Sequence, residues 1–226
     1  MSMIDWYFDP ISPFAWLAWH AMETRDLIDR IRPRPVLLAG LLQQHGQLGP
    51  AEIPSKRRFT YRHARWRAAQ RGLELRFPPA HPFNPLTTLR LLQAAGANAA
   101  ATRRVLDFVW AEGRDPSDQA QSMALAQALG IRDPAAACAD PSVKQALRDN
   151  SDAALAAGVF GVPTAVLHGE LYWGEDAVPM LAQALSEPNW FADAEMQRLL
   201  MIEQSYAANA RVIETADSLL KRLMEI

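Results

Sequence analysis

A serine and a proline, Ser12 and Pro13, separate a short apolar run from a segment with apolar residues at helical spacing. Serine is preferred just before a helix and proline at its first position, so the pair predicts a helix that begins at residue 13. A helix N-terminus offers unpaired N–H groups and a partial positive charge, which favour an anion. The Ser12 hydroxyl does not ionise near neutral pH, but it can donate a hydrogen bond to an external thiolate. The alternative is that Ser12 only caps the helix.

A second group of residues that can bind a ligand, Gly174, Glu175 and Asp176, precedes another predicted helix. Backbone N–H groups at that end can hold an anion, and the Asp176 carboxylate can bind a cation. Asp176 can equally be an ordinary helix cap, and the two roles are compatible.

Eight basic residues and one acid, Glu74, lie between Lys56 and Arg76. A run of charge usually forms the solvated face of a helix, and we expect this of most of these residues. His81 follows among prolines, where a histidine is either a turn residue or, near neutral pH, a proton shuttle.

The elements that must position these residues follow the order βαβ, helices, ββα. Short β-branched and aromatic runs bounded by turn residues predict strands, and long segments rich in Ala, Leu, Gln and Arg predict helices. The predicted elements are a strand at 4–8, a helix at 14–30, a strand at 35–38, helices between 40 and 157, a hairpin of strands at 163–167 and 171–173, a helix at 176–186 and one or two helices at 189–226. This order predicts a core domain formed by 1–39 and 158–188, a helical insertion at 40–157 and a C-terminal helical extension at 189–226.

Composition narrows the classes of protein that this chain can be. With 226 residues, half of them hydrophobic, it can bury a substantial core. A formal charge of −2 gives no general attraction to nucleic acid, and no apolar run is long enough to cross a membrane. The only cysteine, Cys138, excludes an intrachain disulfide and a two-thiol redox cycle. Because the first residues also lack a basic leader, we expect a cytoplasmic protein that binds neither nucleic acid nor membrane.

Three motifs carry a family resemblance. Residues 8–18 (FDPISPFAWLA), 158–164 (GVFGVPT) and 169–176 (GELYWGED) resemble, in the same order, motifs of 2-hydroxychromene-2-carboxylate isomerases and kappa-class glutathione transferases. In those enzymes a serine replaces the first cysteine of the CxxC motif. The resemblance implies an α/β chain with a thioredoxin-like βαβ…ββα sheet and a large all-helical insertion, as in the disulfide oxidoreductase DsbA. The last forty residues lie largely outside the match.

The resemblance also implies glutathione as the cofactor, with Ser12 as the catalytic residue beside its sulfur. Val162–Pro163 would be a cis peptide whose exposed backbone pairs with the cysteinyl unit, and Gly174, Glu175 and Asp176 would bind the γ-glutamyl group. Lys56 matches a lysine that contacts the ligand in the family, and no metal is implied. The residues expected in the substrate pocket are Phe14, Trp16, Gln47, His63, His81 and Asn84.

Three positions depart from the family pattern. Gln47 follows a glycine where the family often has asparagine, and His63 stands seven residues after Lys56 where the family often has aspartate. Ala15 replaces a frequent serine, which removes a second hydroxyl from the predicted site. Some contacts to glutathione or substrate are therefore expected to differ from those of the family.

The leading hypothesis is a glutathione-dependent isomerase of 2-hydroxychromene-2-carboxylate or a related aromatic acid, which acts through transient addition of the glutathione thiolate. A kappa-class glutathione transferase, which consumes glutathione, is the neighbouring alternative. An alternative of another class is a redox-inactive thioredoxin-fold binding module. A serine hydrolase is disfavoured because no GxSxG elbow surrounds Ser12.

A homodimer is expected, because the resembling enzymes are usually dimers. Residues 195–226 carry apolar side chains at spacings of three, four and seven, which predicts helices with a face to cover. We expect this segment to pack on its own subunit or on a partner, through Leu199, Ile202, Leu219 and Leu223.

Overall fold

The computed structural model describes residues 3–188, 190, 198–206, 208, 209, 211, 212, 215 and 221. Its Cα positions form two compact units, Met1–Ala182 and Gln183–Ile226. The predicted insertion at 40–157 lies inside the first unit, and the predicted core domain ends six residues beyond it, at 188. All the predicted domain boundaries remain predictions. The elements are β1 (Ile4–Phe8), α1 (Pro13–Glu23), β2 (Ile31–Pro35), α2 (Leu38–Gln44), α3 (Pro54–Gln70), α4 (Leu86–Ala94), α5 (Ala99–Trp110), α6 (Gln119–Ala128), α7 (Pro134–Ala139), α8 (Pro141–Ala156), β3 (Thr164–Leu167), β4 (Glu170–Trp173) and α9 (Val178–Ser186), with short 3₁₀ turns at Ile28–Arg30 and Pro50–Glu52.

The four strands form one sheet in the order β2-β1-β3-β4. β1 runs parallel to β2, as a βαβ unit requires, whereas the pairs β1–β3 and β3–β4 are antiparallel. His168 and Gly169 join β3 to β4 with φ angles of 53° and 87°, as in a type I′ hairpin turn. The βαβ, helical and ββα order is therefore confirmed.

The second strand lies at 31–35, not at the predicted 35–38. Ile31 is buried, while Arg32 and Arg34 both pair with Asp5 on β1 at 2.5 and 2.8 Å. Pro33 misled the prediction, which began the strand only at Pro35, because proline cannot donate to a β-ladder. β2 is an edge strand, where one side needs no donors, so the prolines are tolerated there.

The first helix is also shorter than predicted and ends at Glu23. Asp26 adopts a φ of 54°, a left-handed conformation that a helix cannot continue through. α1 packs against α3 and α5, and its inner face contributes Trp16 and Trp19 to the core. This packing fixes the direction in which the N-terminus of α1 points.

In the second unit, residues 198–206 are helical and every one of them is exposed. Leu199 and Ile202, two of the predicted contacts, are 55% and 56% exposed. Leu219 and Leu223 lie outside the described residues. Within the described residues no helix is long and apolar enough to span a bilayer, and no group of His, Cys, Asp and Glu side chains could hold a metal ion.

Candidate active site

Ser12 lies at the N-terminus of α1, directly before Pro13, the first helical residue. Its backbone is extended, with φ of −88° and ψ of 119°, as for an N-cap, yet its hydroxyl makes no hydrogen bond to the helix N–H groups. The residue is only 8% exposed. The reading of Ser12 as a mere cap is therefore not supported, because the hydroxyl is not used by the helix.

The loop from Asp9 to Ser12 is held from several sides. The fully buried Asp9 carboxylate accepts hydrogen bonds from the N–H groups of Ile11 and Leu38, each at 2.9 Å. The backbone carbonyl of Asp9 accepts from the Ser12 N–H at 3.0 Å. Burial raises the pKa of the Asp9 carboxyl from 3.8 to about 7, although the two backbone hydrogen bonds oppose that rise. On α5, the Trp110 indole N–H donates to the Pro10 carbonyl at 2.8 Å.

His81 supplies a further support for this loop. Its Nε2 lies 2.8 Å from the Ile11 carbonyl oxygen, so that nitrogen carries the proton and donates. Its Nδ1 lies 2.8 Å from the Tyr61 hydroxyl and accepts from it. Burial lowers the pKa of His81, which keeps the ring neutral. Of the two roles left open by the sequence, turn residue or proton shuttle, the structure favours a structural role, because both ring nitrogens are engaged.

The Val162–Pro163 bond is cis, as the resemblance implies. Tyr7 of β1 pairs with Thr164 of β3, and the strands are antiparallel, so the residues that precede Thr164 lie beside the loop that follows β1. Within the described part of the chain, the N–H and C=O groups of Val162 make no hydrogen bond. They are available to a ligand that lies next to Ser12.

The end of β4 contacts the segment that precedes β3 and contains Val162–Pro163. Thr164 is opposite Trp173, and the Gly174 N–H donates to the Pro163 carbonyl at 2.9 Å. That N–H is therefore occupied, which narrows the predicted backbone anion site to the N–H groups of Glu175 and Asp176. Gly174 has a φ of 94°, and an added Cβ would lie 2.4 Å from Asp176 Oδ1. Because α9 begins at Val178, Asp176 precedes the cap position and was wrongly predicted as its first residue.

Glu175 makes a contact that the sequence did not predict. Its side chain is 3% exposed and accepts hydrogen bonds from Arg67 Nε and Arg71 Nη2. These two arginines are therefore ion-paired and only partly exposed, unlike the solvated face expected for most of the basic run. Their spacing of four residues on α3 was a visible signal, since it places both on one face of the helix, but nothing local pointed to their partner.

The remaining predicted site residues divide into two groups. Phe14 and His63 come together with ring centroids 5.5 Å apart, and Phe59 and Trp66 of α3 extend this aromatic group next to His63. Lys56 is exposed on α3, and seven residues separate it from His63, about 10 Å along a helix axis.

Trp16 and Asn84 are not brought to the site, and the place of Gln47 in the pocket remains a prediction. Trp16 is 2% exposed and donates from its indole N–H to Asp107 at 2.8 Å, so its prediction as a pocket residue was wrong. Gln47 is an exposed loop residue. Asn84 accepts a hydrogen bond from the Leu86 N–H and lines a cleft of about 410 Å³ that holds none of the other predicted site residues.

Residues 3–186 match the family model of the DSBA-like thioredoxin domain. The chain belongs to this family. A second model, for the C-terminal part of the flagellar basal body rod FlgEFG proteins, matches residues 182–226 only, so the similarity is confined to that segment.

Named relatives confirm the resemblance seen in the motifs. The 2-hydroxychromene-2-carboxylate isomerase of Pseudomonas putida is 29% identical over 191 residues, which cover 81% of this chain and 94% of the relative. Glutathione S-transferase kappa 1 of Homo sapiens is 24% identical over 205 residues, covering 81% of this chain and 91% of the relative. A solved 2-hydroxychromene-2-carboxylate isomerase superposes with a TM-score of 0.68 at 27% identity, covering 81% of this chain and 94% of that one. Both kinds of relative are enzymes, which confirms the expectation of an enzyme.

Proposed function

We propose that this chain is a glutathione-dependent isomerase of 2-hydroxychromene-2-carboxylate or a related bicyclic aromatic acid. The observation that carries the proposal is the Ser12 hydroxyl, nearly buried at the N-terminus of α1 and not used as a helix cap. A hydroxyl in that position can donate to a sulfur anion, and the helix N-terminus favours the same charge. The isomerase relatives support the choice of reaction.

The residues around Ser12 fit a tripeptide with a thiol. The N–H and C=O groups of Val162, which pair with no described residue, can pair with the cysteinyl unit in the manner of an added strand. The N–H groups of Glu175 and Asp176, which donate to no described residue, suit the charged γ-glutamyl end together with the Asp176 carboxylate. We assign Lys56 to a carboxylate of the ligand or substrate.

When bound, glutathione would supply a thiolate nucleophile that adds to the unsaturated acid and is released again. The chain's own residues prepare for this charge. Ser12 donates its O–H toward the sulfur, while Trp110, His81 and Asp9 hold the loop that carries Ser12. Because these hydrogen bonds exist before the ligand arrives, the donor needs little reorganisation during the reaction. Phe14 and His63 form an aromatic wall against which a bicyclic acid can stack.

The proposal extends to the setting of the reaction. We infer a role in the catabolism of aromatic acids, a cytoplasmic location, where glutathione is abundant, and a homodimer. The second candidate is a kappa-class glutathione transferase, which the human relative favours. The isomerase and transferase differ in the fate of glutathione, because only the transferase consumes it.

Product analysis tests the proposal. We expect purified protein with 2-hydroxychromene-2-carboxylate and a small, fixed amount of glutathione to convert many equivalents of substrate while all glutathione is recovered. A stoichiometric glutathione conjugate would instead establish the transferase. No conversion with glutathione present would contradict both and would support a binding module, and conversion that does not need glutathione would also contradict both. The Ser12→Ala variant is the matched control for conversion at this site.

A further inference from the structure

The Glu175 clamp, formed by Glu175 with Arg67 and Arg71, joins α3 to the segment that follows β4. Both arginines contact the same buried carboxylate, one at each oxygen. A single carboxylate with two guanidinium groups leaves one positive charge in excess. The clamp therefore holds that segment in place and brings a surplus cation to it.

The two arginines are used differently. Arg71 donates from Nη2 to Glu175 and from Nη1 to the Leu17 carbonyl at 2.8 Å, so both terminal amino groups serve the fold. Arg67 reaches Glu175 through Nε only. Its two terminal amino groups make no hydrogen bond to any described residue, and its side chain is 27% exposed. Arg67 thus presents a fork of unused donors to the solvent.

Asp176 lies close enough to Arg67 to act on its charge. The hydrogen bond to Glu175 raises the pKa of Arg67, and the negative charges of Glu175 and Asp176 add to this effect. The Asp176 carboxylate is folded back over Gly174, against the site where a Cβ would stand. The terminal amino groups of Arg67 and the Asp176 carboxylate, which have no hydrogen-bond partner among the described residues, therefore flank the same short segment.

We propose that Arg67 binds the α-carboxylate of the γ-glutamyl group of glutathione, beside the Asp176 carboxylate that the proposed function already assigns to this end of the ligand. Arg67 holds the α-carboxylate through its terminal amino groups, and Asp176 receives the α-ammonium. A planar guanidinium fork suits a carboxylate, and its orientation is already fixed by Glu175. This assignment rests on glutathione as the ligand of the proposed function and adds Arg67 as the residue that selects for the amino-acid end.

The charge balance supports a zwitterionic ligand group. Arg67 and Arg71 contribute two positive charges, and Glu175 and Asp176 contribute two negative charges, so the cluster is neutral overall. A neutral cluster with its charges separated favours a group that carries one charge of each sign over a simple anion. The α-amino acid end of glutathione is such a group.

Calorimetric binding to the full chain tests the assignment with two ligands. Glutathione carries the α-amino acid end, and N-acetylcysteinylglycine keeps the thiol and the glycine but lacks that end. We expect Arg67→Gln to weaken glutathione binding by about tenfold or more, as for the loss of a charged hydrogen bond. Binding of N-acetylcysteinylglycine should remain unchanged in that variant.

Arg71→Gln is the matched control, since it also removes one contact to Glu175. We expect it to lower thermal stability but to keep the preference of the wild type for glutathione. Arg67→Lys keeps a cation and replaces Arg67→Gln in the binding measurements if Arg67→Gln does not unfold cooperatively. It should retain part of the preference for glutathione over N-acetylcysteinylglycine. If the Arg67 variants bind both ligands equally more weakly, or bind glutathione as tightly as the wild type, the Arg67 assignment is overturned but the proposed function is not. A wild type that binds no glutathione would instead overturn the proposed function, and with it this assignment.

Discussion

The buried Asp9 carboxyl predicts an unusual dependence of stability on pH. It is fully buried, accepts only two backbone N–H groups and pairs with no cation among the described residues. Its pKa is about 7 in the folded chain, against 3.8 for the ordinary side chain. Between these values the folded chain holds a proton that the unfolded chain has released. The free energy of unfolding therefore decreases as the pH rises from about 4 to about 7.

The size of the effect follows from the two pKa values. The difference between 7 and 3.8, at 1.36 kcal/mol for each unit, gives a loss of about 4 kcal/mol from Asp9 over this range. Asp9→Asn removes the titration. The asparagine places an NH₂ group, which cannot accept, against one of the two backbone N–H groups. The buried N–H left without an acceptor costs about 1–3 kcal/mol of unfolding free energy. The variant is thus expected to be the less stable protein at low pH, and its disadvantage should shrink or reverse toward neutral pH.

Urea unfolding followed by tryptophan fluorescence, repeated from about pH 4.5 to 8, measures this difference. Asp5→Asn is the control. For Asp5, burial raises the pKa, but the contacts with Arg32 and Arg34 outweigh it and bring the pKa below 3.8. The stability that Asp5 contributes is present above its unfolded pKa and is lost only as the pH falls further. Parallel curves for wild type and Asp9→Asn between pH 4.5 and 7.5 would refute the reasoning.

Three further outcomes are expected. Ser12→Cys should gain a thiol that iodoacetamide alkylates rapidly at about pH 6, because a helix N-terminus lowers the pKa of a thiol. Cys138, whose thiol pKa is raised by burial, should react slowly in the same sample. Equal alkylation rates would count against the position of Ser12 at the helix N-terminus. Tyr61→Phe should lose about 0.5–1.5 kcal/mol of unfolding free energy with its hydrogen bond to His81, and an unchanged denaturation midpoint would oppose that role. Truncation after Pro188 should give a monomeric or aggregating protein in sedimentation, whereas a stable dimer would exclude the C-terminal segment from the dimer interface.

Local sequence signals predicted the parts of the fold that depend on neighbouring residues. The extent of β1, the start of α1 at Ser12–Pro13 and the β3–β4 hairpin all follow from short patterns of apolar, proline and glycine residues. β2 was misplaced because the apolar run after Pro35 looks more like a strand than the proline-containing edge strand itself. Position along the sheet, which decides whether proline is tolerated, is not visible in one sequence.

The site residues were predicted from motifs, and the errors in that prediction have one physical cause. Trp16 lies four residues after Ser12, but the packing of α1 on α5 turns its side chain into the core. The contact between Arg67 and Glu175 joins residues 108 positions apart, so no local pattern could show it. Side-chain direction and long-range pairing are set by tertiary packing, which local patterns in one sequence do not show.

The ionisation of the bound glutathione thiol tests the central claim most directly. Thiolate absorbance, titrated against pH with glutathione bound and corrected for the protein alone, reports the pKa of that sulfur in wild type and in Ser12→Ala. We expect the wild type to hold it well below the ordinary thiol value of about 8.5, through the Ser12 O–H and the N-terminus of α1. Ser12→Ala should move it back toward that value. Identical titrations in both proteins, with glutathione bound to each, would contradict the role assigned to Ser12.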